Sequence, residues 1–271
     1  MLSIRASNGY ALTDEQIVRV APAIFATEKG AKLSDRYAFF PTTDTLTAMR
    51  GAGFFPVSVQ QTSSRAVDRR LSAVHLIRFR QADELQLKNI NDSALEICVL
   101  NSHNRRTLDD VFAGYFRLVC LNGLIVADAT LPDTRFATRH VGKTPDMVVA
   151  GAMRVVAEAV TSKAQIEAWR SVELDIEQRL NFAEAAARLR FKSDMAVSPA
   201  TLQNPIRWSD SSNDLWTVFN RVQEALTTRS VAYVNAHGRT RHTRKVRSID
   251  ADLTLNRGLW QLAADTYETL H

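Results

Sequence analysis

The chain of 271 residues carries 34 Lys and Arg against 29 Asp and Glu, a formal net charge of +5, with 45% hydrophobic and 23% charged residues. That length fits one large domain or two modest ones, and the composition excludes a disordered, collagenous or coiled-coil chain. No stretch approaches the roughly 18 uninterrupted apolar residues of a membrane helix, and residues 1–10 lack the continuous apolar run of a secretory leader. Cys98 and Cys120 form neither a CxxC pair nor a zinc spacing, so a cytoplasmic protein without cofactor, metal site or disulfide framework is expected.

In chain order, Thr13-Asp-Glu-Gln16 reads as a capping box that opens a first helix, which Pro22 ends or kinks. Arg36 to Phe40 is a short strand candidate closed by Pro41, and Thr42 to Arg50 a short helix stopped by Gly51 and Gly53. Three strands follow: Phe54 to Thr62, Leu71 to Arg80 with Ala73, His75, Ile77 and Phe79 on one face, and Ala94 to Leu100. Sequential strands with short links favour an antiparallel meander. Phe112 to Cys120 fits a helix or a buried strand, and Asn122-Gly123 turns into Leu124 to Ala127.

Glycine is absent between Gly151 and Gly238 and proline after Pro205, so the second half reads as mostly helical. Met147 to Val160 and Gln165 to Phe191 are two predicted helices, with Leu202 to Asp210 a connection. Ser211-Ser-Asn-Asp214 opens a helix whose stripe is Leu215, Val218, Phe219, Val222 and Leu226, and Ser248 caps a last helix bearing Leu253 and Trp260. The expected class is α+β, with a sheet-containing region over 1–145 and a helical region over 146–271.

The charge excess is concentrated. Residues 235–247 hold Arg239, Arg241, Arg244, Lys245 and Arg247 without an acid, so this window carries the whole +5. Without apolar periodicity it reads as an exposed loop or extended arm between the last two helices. Guanidinium forks bind phosphate bidentately and gain by counterion release, so such an arm fits nucleic acid, DNA first. The alternative is a solvated loop whose arginines pair with acids elsewhere. A weaker patch runs through Arg65, Arg69, Arg70, Arg78 and Arg80, opposed only by Asp68. Trp208 in its connection is the candidate for stacking a base, whereas Trp260 on the apolar stripe reads as core.

Catalytic signals are weak. Gly142-Lys143-Thr144 is like the end of a phosphate loop, but Ala137 stands where that motif needs glycine. Asn101-Ser102-His103 at a strand end reads as capping or turn, and Cys120 beside apolar residues as an inert thiol in place of a nucleophile paired with His103. The six histidines lack metal spacing. Asp109-Asp110, Asp133 and Asp146 invite a metal-dependent nuclease, yet no Glu-x-Lys partner follows them.

Several segments match a known pattern in order and spacing: Asn101-Ser-His103, Phe116-Arg-Leu-Val-Cys-Leu-Asn-Gly-Leu124, Ser212-Asn-Asp-Leu-Trp216, and Gly238-Arg-Thr-Arg leading into Leu255-Asn-Arg-Gly-Leu-Trp260. Together, over essentially the whole chain, they resemble the YfjQ/YafZ-like family of plasmid- and prophage-borne proteins, classed as a domain of unknown function. The resemblance implies a cytoplasmic protein of mobile genetic elements and carries over no catalytic residue. Where that pattern reads Asn-Ser-His-Asp-Gly, this chain has Asn104-Arg105. The element order, a short helix ending in Gly51 to Phe54 and then a strand meander, is also similar to that of Rad52-like single-strand annealing proteins. The expected function is a non-enzymatic nucleic-acid-binding accessory protein that binds or anneals single-stranded DNA, with self-association. A metal-dependent nuclease and a protein-binding inhibitor of host defence are the alternatives.

Overall fold

The computed structural model describes residues 1–29, 39–64, 66–86, 93–103, 109–117, 123–124, 135–138, 144–191 and 195–271. The chain divides into two compact units, Met1–Ala127 with Leu131–Ala159, and Asp128–Thr130 with Val160–His271.

The first unit is an antiparallel meander with helices. A strand the sequence did not announce, β1 (Leu2–Arg5), precedes α1 (Asp14–Val20). The predicted capping box forms: Thr13 Oγ1 accepts from Gln16 N while Gln16 Oε1 accepts from Thr13 N. Pro22 opens a 3-10 turn (Pro22–Phe25) in place of a further helical turn. Next come α2 (Thr42–Gly51) and β2 (Phe54–Gln61), joined through Gly53, whose φ of 84° only glycine adopts freely. The short α3 (Val67–Leu71), β3 (His75–Gln81), β4 (Ser93–Asn101), β5 (Asp109–Arg117), β6 (Gly123–Leu124) and β7 (Arg135–Thr138) follow. The sheet runs β1-β2-β3-β4-β5-β6, with β7 also on β5, and every pairing is antiparallel.

Two strand expectations change. Residues 71–74 are not strand, because α3 occupies the run up to Leu71 and β3 begins at His75. The predicted strand at Arg36 to Phe40 lies largely outside the described residues, and Phe39 and Phe40 are not in a strand. Phe112 to Arg117 resolves to strand, since β5 pairs with β4 along its length. Pro56 sits inside β2, flanked on both sides by partner strands, and is accommodated at a register shift between Pro56 and Ser58. The core of the unit joins Ile17, Leu46, Met49, Phe54, Ile77, Phe79, Ile97 and Val99 to Val148, Ala152 and Val155 of α4 (Pro145–Arg170).

The second unit begins in the last turns of α4 and continues through α5 (Ile176–Arg190), β8 (Met195–Val197), α6 (Pro199–Leu202), α7 (Leu215–Thr227), β9 (Ala232–Asn235), β10 (Thr240–His242) and α8 (Ile249–Thr269). The break between the two long helices falls at residues 171–175, later than predicted. Asp175 forms a capping box with Gln178, and Leu174 N and Leu215 N bond to Asn213 O and Val172 O, which fixes the chain reversal there. The cap of α7 is Asp214, which accepts from Thr217 N at 2.8 Å, not a box opened by Ser211.

An aromatic cluster holds these helices together. Trp169 lies 4.4 Å from Trp260 and 6.0 Å from Phe219, and Trp216 stacks on Phe219 at 5.6 Å. Gln223 Nε2 donates to Asn256 Oδ1 across α7 and α8 at 2.7 Å. Gly258 lets α8 approach α5 closely, because a Cβ there would stand 3.3 Å from Leu189 Cδ1. Trp169 is fully buried, so Trp169→Ala should lower unfolding stability by about 3–5 kcal/mol. Trp169→Phe should cost far less, because the indole N–H has no hydrogen-bond partner to lose. Urea titration of the two variants against the native chain reads both.

Candidate functional site

The acid-free segment is not a free arm. Its first part folds as the hairpin β9–β10, with Thr240, Arg241 and His242 opposite Val234, Tyr233 and Ala232. Asn235 organises the turn: its side-chain oxygen accepts from His237 N and Arg239 N, both at 3.0 Å, and its carbonyl accepts from Gly238 N. Gly238 completes the turn at φ 69°, a conformation that side chains with a Cβ rarely adopt. β8 adds a third strand, with Val197 opposite Tyr233.

Beyond the hairpin the chain runs back beside the segment that follows α7. Thr243 is buried, donates its N–H to Val231 O at 2.8 Å and accepts from Val231 N on Oγ1 at 2.9 Å. Val246 N bonds to Thr227 O at the end of α7, and Ser248 Oγ caps α8. The buried threonine and the half-buried valine therefore alternate with Arg244, Lys245 and Arg247, which face solvent. Arg239 at the turn and Arg241 on β10 are exposed as well. Among the described residues, no ion pair or side-chain hydrogen bond engages any of the five.

A groove of about 720 Å³ lies against this hairpin, lined by Arg190, Phe191, Tyr233, Arg241, His242 and Arg244. Its far wall is the end of α5. There the Arg190 guanidinium stands 5.0 Å from the Phe191 ring centroid and donates Nη2–H to the carbonyl of Arg244. Its Nη1 is buried without a hydrogen-bond partner, and burial pushes the guanidinium below its ordinary pKa. Arg190 also borders a second groove of about 620 Å³ with Arg247, Ser248, Asp250 and Thr254. Nothing in the local residue pattern singles out Arg190, Phe191 or Tyr233. The only cue was a basic-aromatic pair after a helix, which is common.

Trp208 belongs to the same unit and is 92% exposed, in a 3-10 turn (Trp208–Asp210). Its neighbour Arg207 anchors that turn through ion pairs to Asp210 and Glu224, leaving the indole outside. Trp260 is buried as predicted, and so is Trp216. The second basic patch divides. Arg69 and Arg70 are exposed on α3 in the first unit, and Arg65 lies outside the described residues. Arg78 and Arg80 are not surface cations: they are buried on β3 and reach Glu96 of β4 at 3.2 and 2.7 Å, where Arg5 of β1 joins them at 3.1 Å. Glu96 is the carboxylate that opposes them.

Asn101, Ser102 and His103 also form no exposed turn. They are buried together with His75 and Thr42. Asn101 Nδ2 donates to Thr42 Oγ1 at 2.8 Å, and Thr42 Oγ1 donates to His75 Nε2 at 3.0 Å, since His75 Nδ1–H is committed to Ala73 O at 2.9 Å. Burial, then the nearby His103 ring, pushes the His75 pKa down to about 3. A neutral, enclosed imidazole of that kind supports packing and is a poor general base. Cys120, Asp133, Gly142 and Lys143 lie outside the described residues. Among the described residues, no group of three or more His, Cys, Asp or Glu is placed to hold a metal ion, and no helix is long and apolar enough to cross a membrane.

Two outcomes follow. Glu96→Gln leaves three arginines around a neutral side chain and should destabilise the protein by about 3–5 kcal/mol in urea unfolding. His75 binds no proton in the fold until about pH 3, while the unfolded chain binds one below pH 6.5. Its contribution to stability is therefore intact above pH 6.5 and falls with pH below it, at up to about 1.4 kcal/mol per pH unit. Urea titrations on either side of that pH should show the fall in the native chain, and His75→Gln should lack this component.

Comparison with known proteins gives a consistent family. The model described as "Domain of unknown function (DUF932)" matches residues 31–260. The chain is 35% identical over 253 residues to the UPF0380 proteins YafZ and YfjQ of Escherichia coli (strain K12), covering 93% of this chain and 90% of each of those proteins. No solved structure matches it.

Proposed function

The chain belongs to the DUF932 family, and from the hairpin it carries we propose that it is a non-enzymatic, cytoplasmic nucleic-acid-binding accessory protein of a plasmid or prophage, acting on DNA. One observation carries the reading: five cations within residues 235–247 are held at the surface with no counterion among the described residues. A fold that exposes unpaired guanidinium groups bears their mutual repulsion, and a polyphosphate relieves it by replacing condensed counterions. Arg239, Arg241, Arg244, Lys245 and Arg247 contact phosphates, and Trp208 is the exposed aromatic available for a base. Arg69 and Arg70 add a second cationic contact on the first unit. Annealing of complementary strands, suggested by the element order, would follow from phosphate neutralisation.

The test is a salt titration. If all five cations engage duplex DNA, log K against log salt should slope at about −4.5, and for a single strand at about −3.5. Replacing the five by Gln should remove that part of the slope, leaving only what Arg69 and Arg70 contribute. An unchanged slope, or no binding by the native chain at low salt, overturns the proposal.

A further inference from the structure

We propose that the groove between the end of α5 and the hairpin is a binding pocket for one unstacked nucleotide, so that the protein reads single-stranded nucleic acid through a base as well as a phosphate. This rests on the preceding reading of the hairpin and adds to it the form of the polyanion.

Phosphate attraction alone needs only a convex, cationic surface, which the turn at Arg239 and the segment from Arg244 to Arg247 already provide. The groove has different chemistry. It is concave, about 720 Å³ in volume, and three of its lining residues are flat rings, Phe191, Tyr233 and His242, set among Arg190, Arg241 and Arg244. Tyr233 and Arg241 are cross-strand partners, so their side chains leave the same face of the hairpin. Opposite them, Arg190 is fixed by its bond to the Arg244 carbonyl and its position over Phe191. The planar guanidinium and the ring make a stiff wall on which a base can stack.

Arg190 Nη1 is buried without a hydrogen-bond partner, so the guanidinium charge is held beside the groove with no carboxylate among the described residues to neutralise it. Among the described residues, no carboxylate lines the groove to compete for it. In duplex DNA the bases are stacked inside and only phosphates reach a protein surface of this kind. A ligand that presents a π face and an anion together is a nucleotide whose base has left the stack.

The experiment compares three fluorescein-labelled probes of equal phosphate number on the native protein: an oligo-dT strand, the same backbone with abasic sites, and the dA·dT duplex. Removing the bases should weaken binding about tenfold or more, the size expected of base–aromatic stacking, while leaving the salt slope in place. The double variant Phe191→Leu, Tyr233→Leu, made in a Trp208→Ala background so that no other exposed indole can stack a base, keeps every arm cation and should bind the dT and abasic strands alike. Tyr233→Phe should keep the native preference. If the double variant no longer unfolds cooperatively, each single Leu variant is read in its place. Equal native affinity for dT and abasic strands, with a normal salt slope, overturns the pocket and leaves the phosphate-binding proposal standing. A base preference that survives the Leu variants also overturns the pocket, because the base is then read elsewhere. Failure of every probe to bind at low salt overturns both proposals.

Discussion

The tie between Thr243 and Val231 is the constraint on which the cationic surface depends. It is made of two backbone-anchored hydrogen bonds, and Val246 adds a third at the end of α7. Together they lay a segment with no apolar periodicity, and no regular secondary structure, along the protein. Thr243 and Val246 are the positions held against the protein, and Arg244, Lys245 and Arg247 between and beyond them are left facing solvent. Without that tie the five cations would sit on a flexible loop and lose configurational entropy on meeting a ligand. With it, much of that ordering is complete before binding.

The molecule handles arginine in two opposite ways. On the sheet of the first unit, Arg5, Arg78 and Arg80 are removed from water and gathered on one carboxylate, Glu96. In the second unit, Arg239, Arg241, Arg244 and Arg247 are left in water without an ion pair among the described residues. Burial makes an uncompensated charge costly, so the first set is matched to Glu96, while solvent makes it cheap, so the second set can stay unpaired. Only the second kind is available to a partner. Counting charges along the sequence cannot separate the two, which is why Arg78 and Arg80 read as surface cations until the register of β3 and β4 placed them.

Much of the fold was legible where local chemistry decides it. The Thr13–Gln16 box, the Ser248 cap, the α7 stripe and the Ala94 to Leu100 strand depend on neighbours within a few residues. The misreadings share a cause, for each was settled by distant contacts. The break after α4 is held by bonds to Asn213 and Leu215. Asn101, Ser102 and His103 look like a polar turn, but Thr42 and Ala23 supply partners that let them be buried. β1 becomes a strand because β2 offers an edge to it. For the site, the cations were visible in composition, whereas the aromatic wall was not. Phe191 and Tyr233 are far apart in the chain and meet only through the packing of α5 against the hairpin.

Gly258 gives that wall a sensitivity that its position does not suggest. It lies inside α8, away from the hairpin, yet the absence of its side chain sets how near Leu189 can come, and Leu189 immediately precedes Arg190. The interhelical gap at this point therefore works as a spacer for the groove mouth. A single methyl group added at residue 258 would press on the Leu189 side chain and require it to give by a few tenths of an ångström, one residue before Arg190. Variation at this half-buried glycine is thus a route by which the packing next to Arg190 can change while every surface cation stays unchanged.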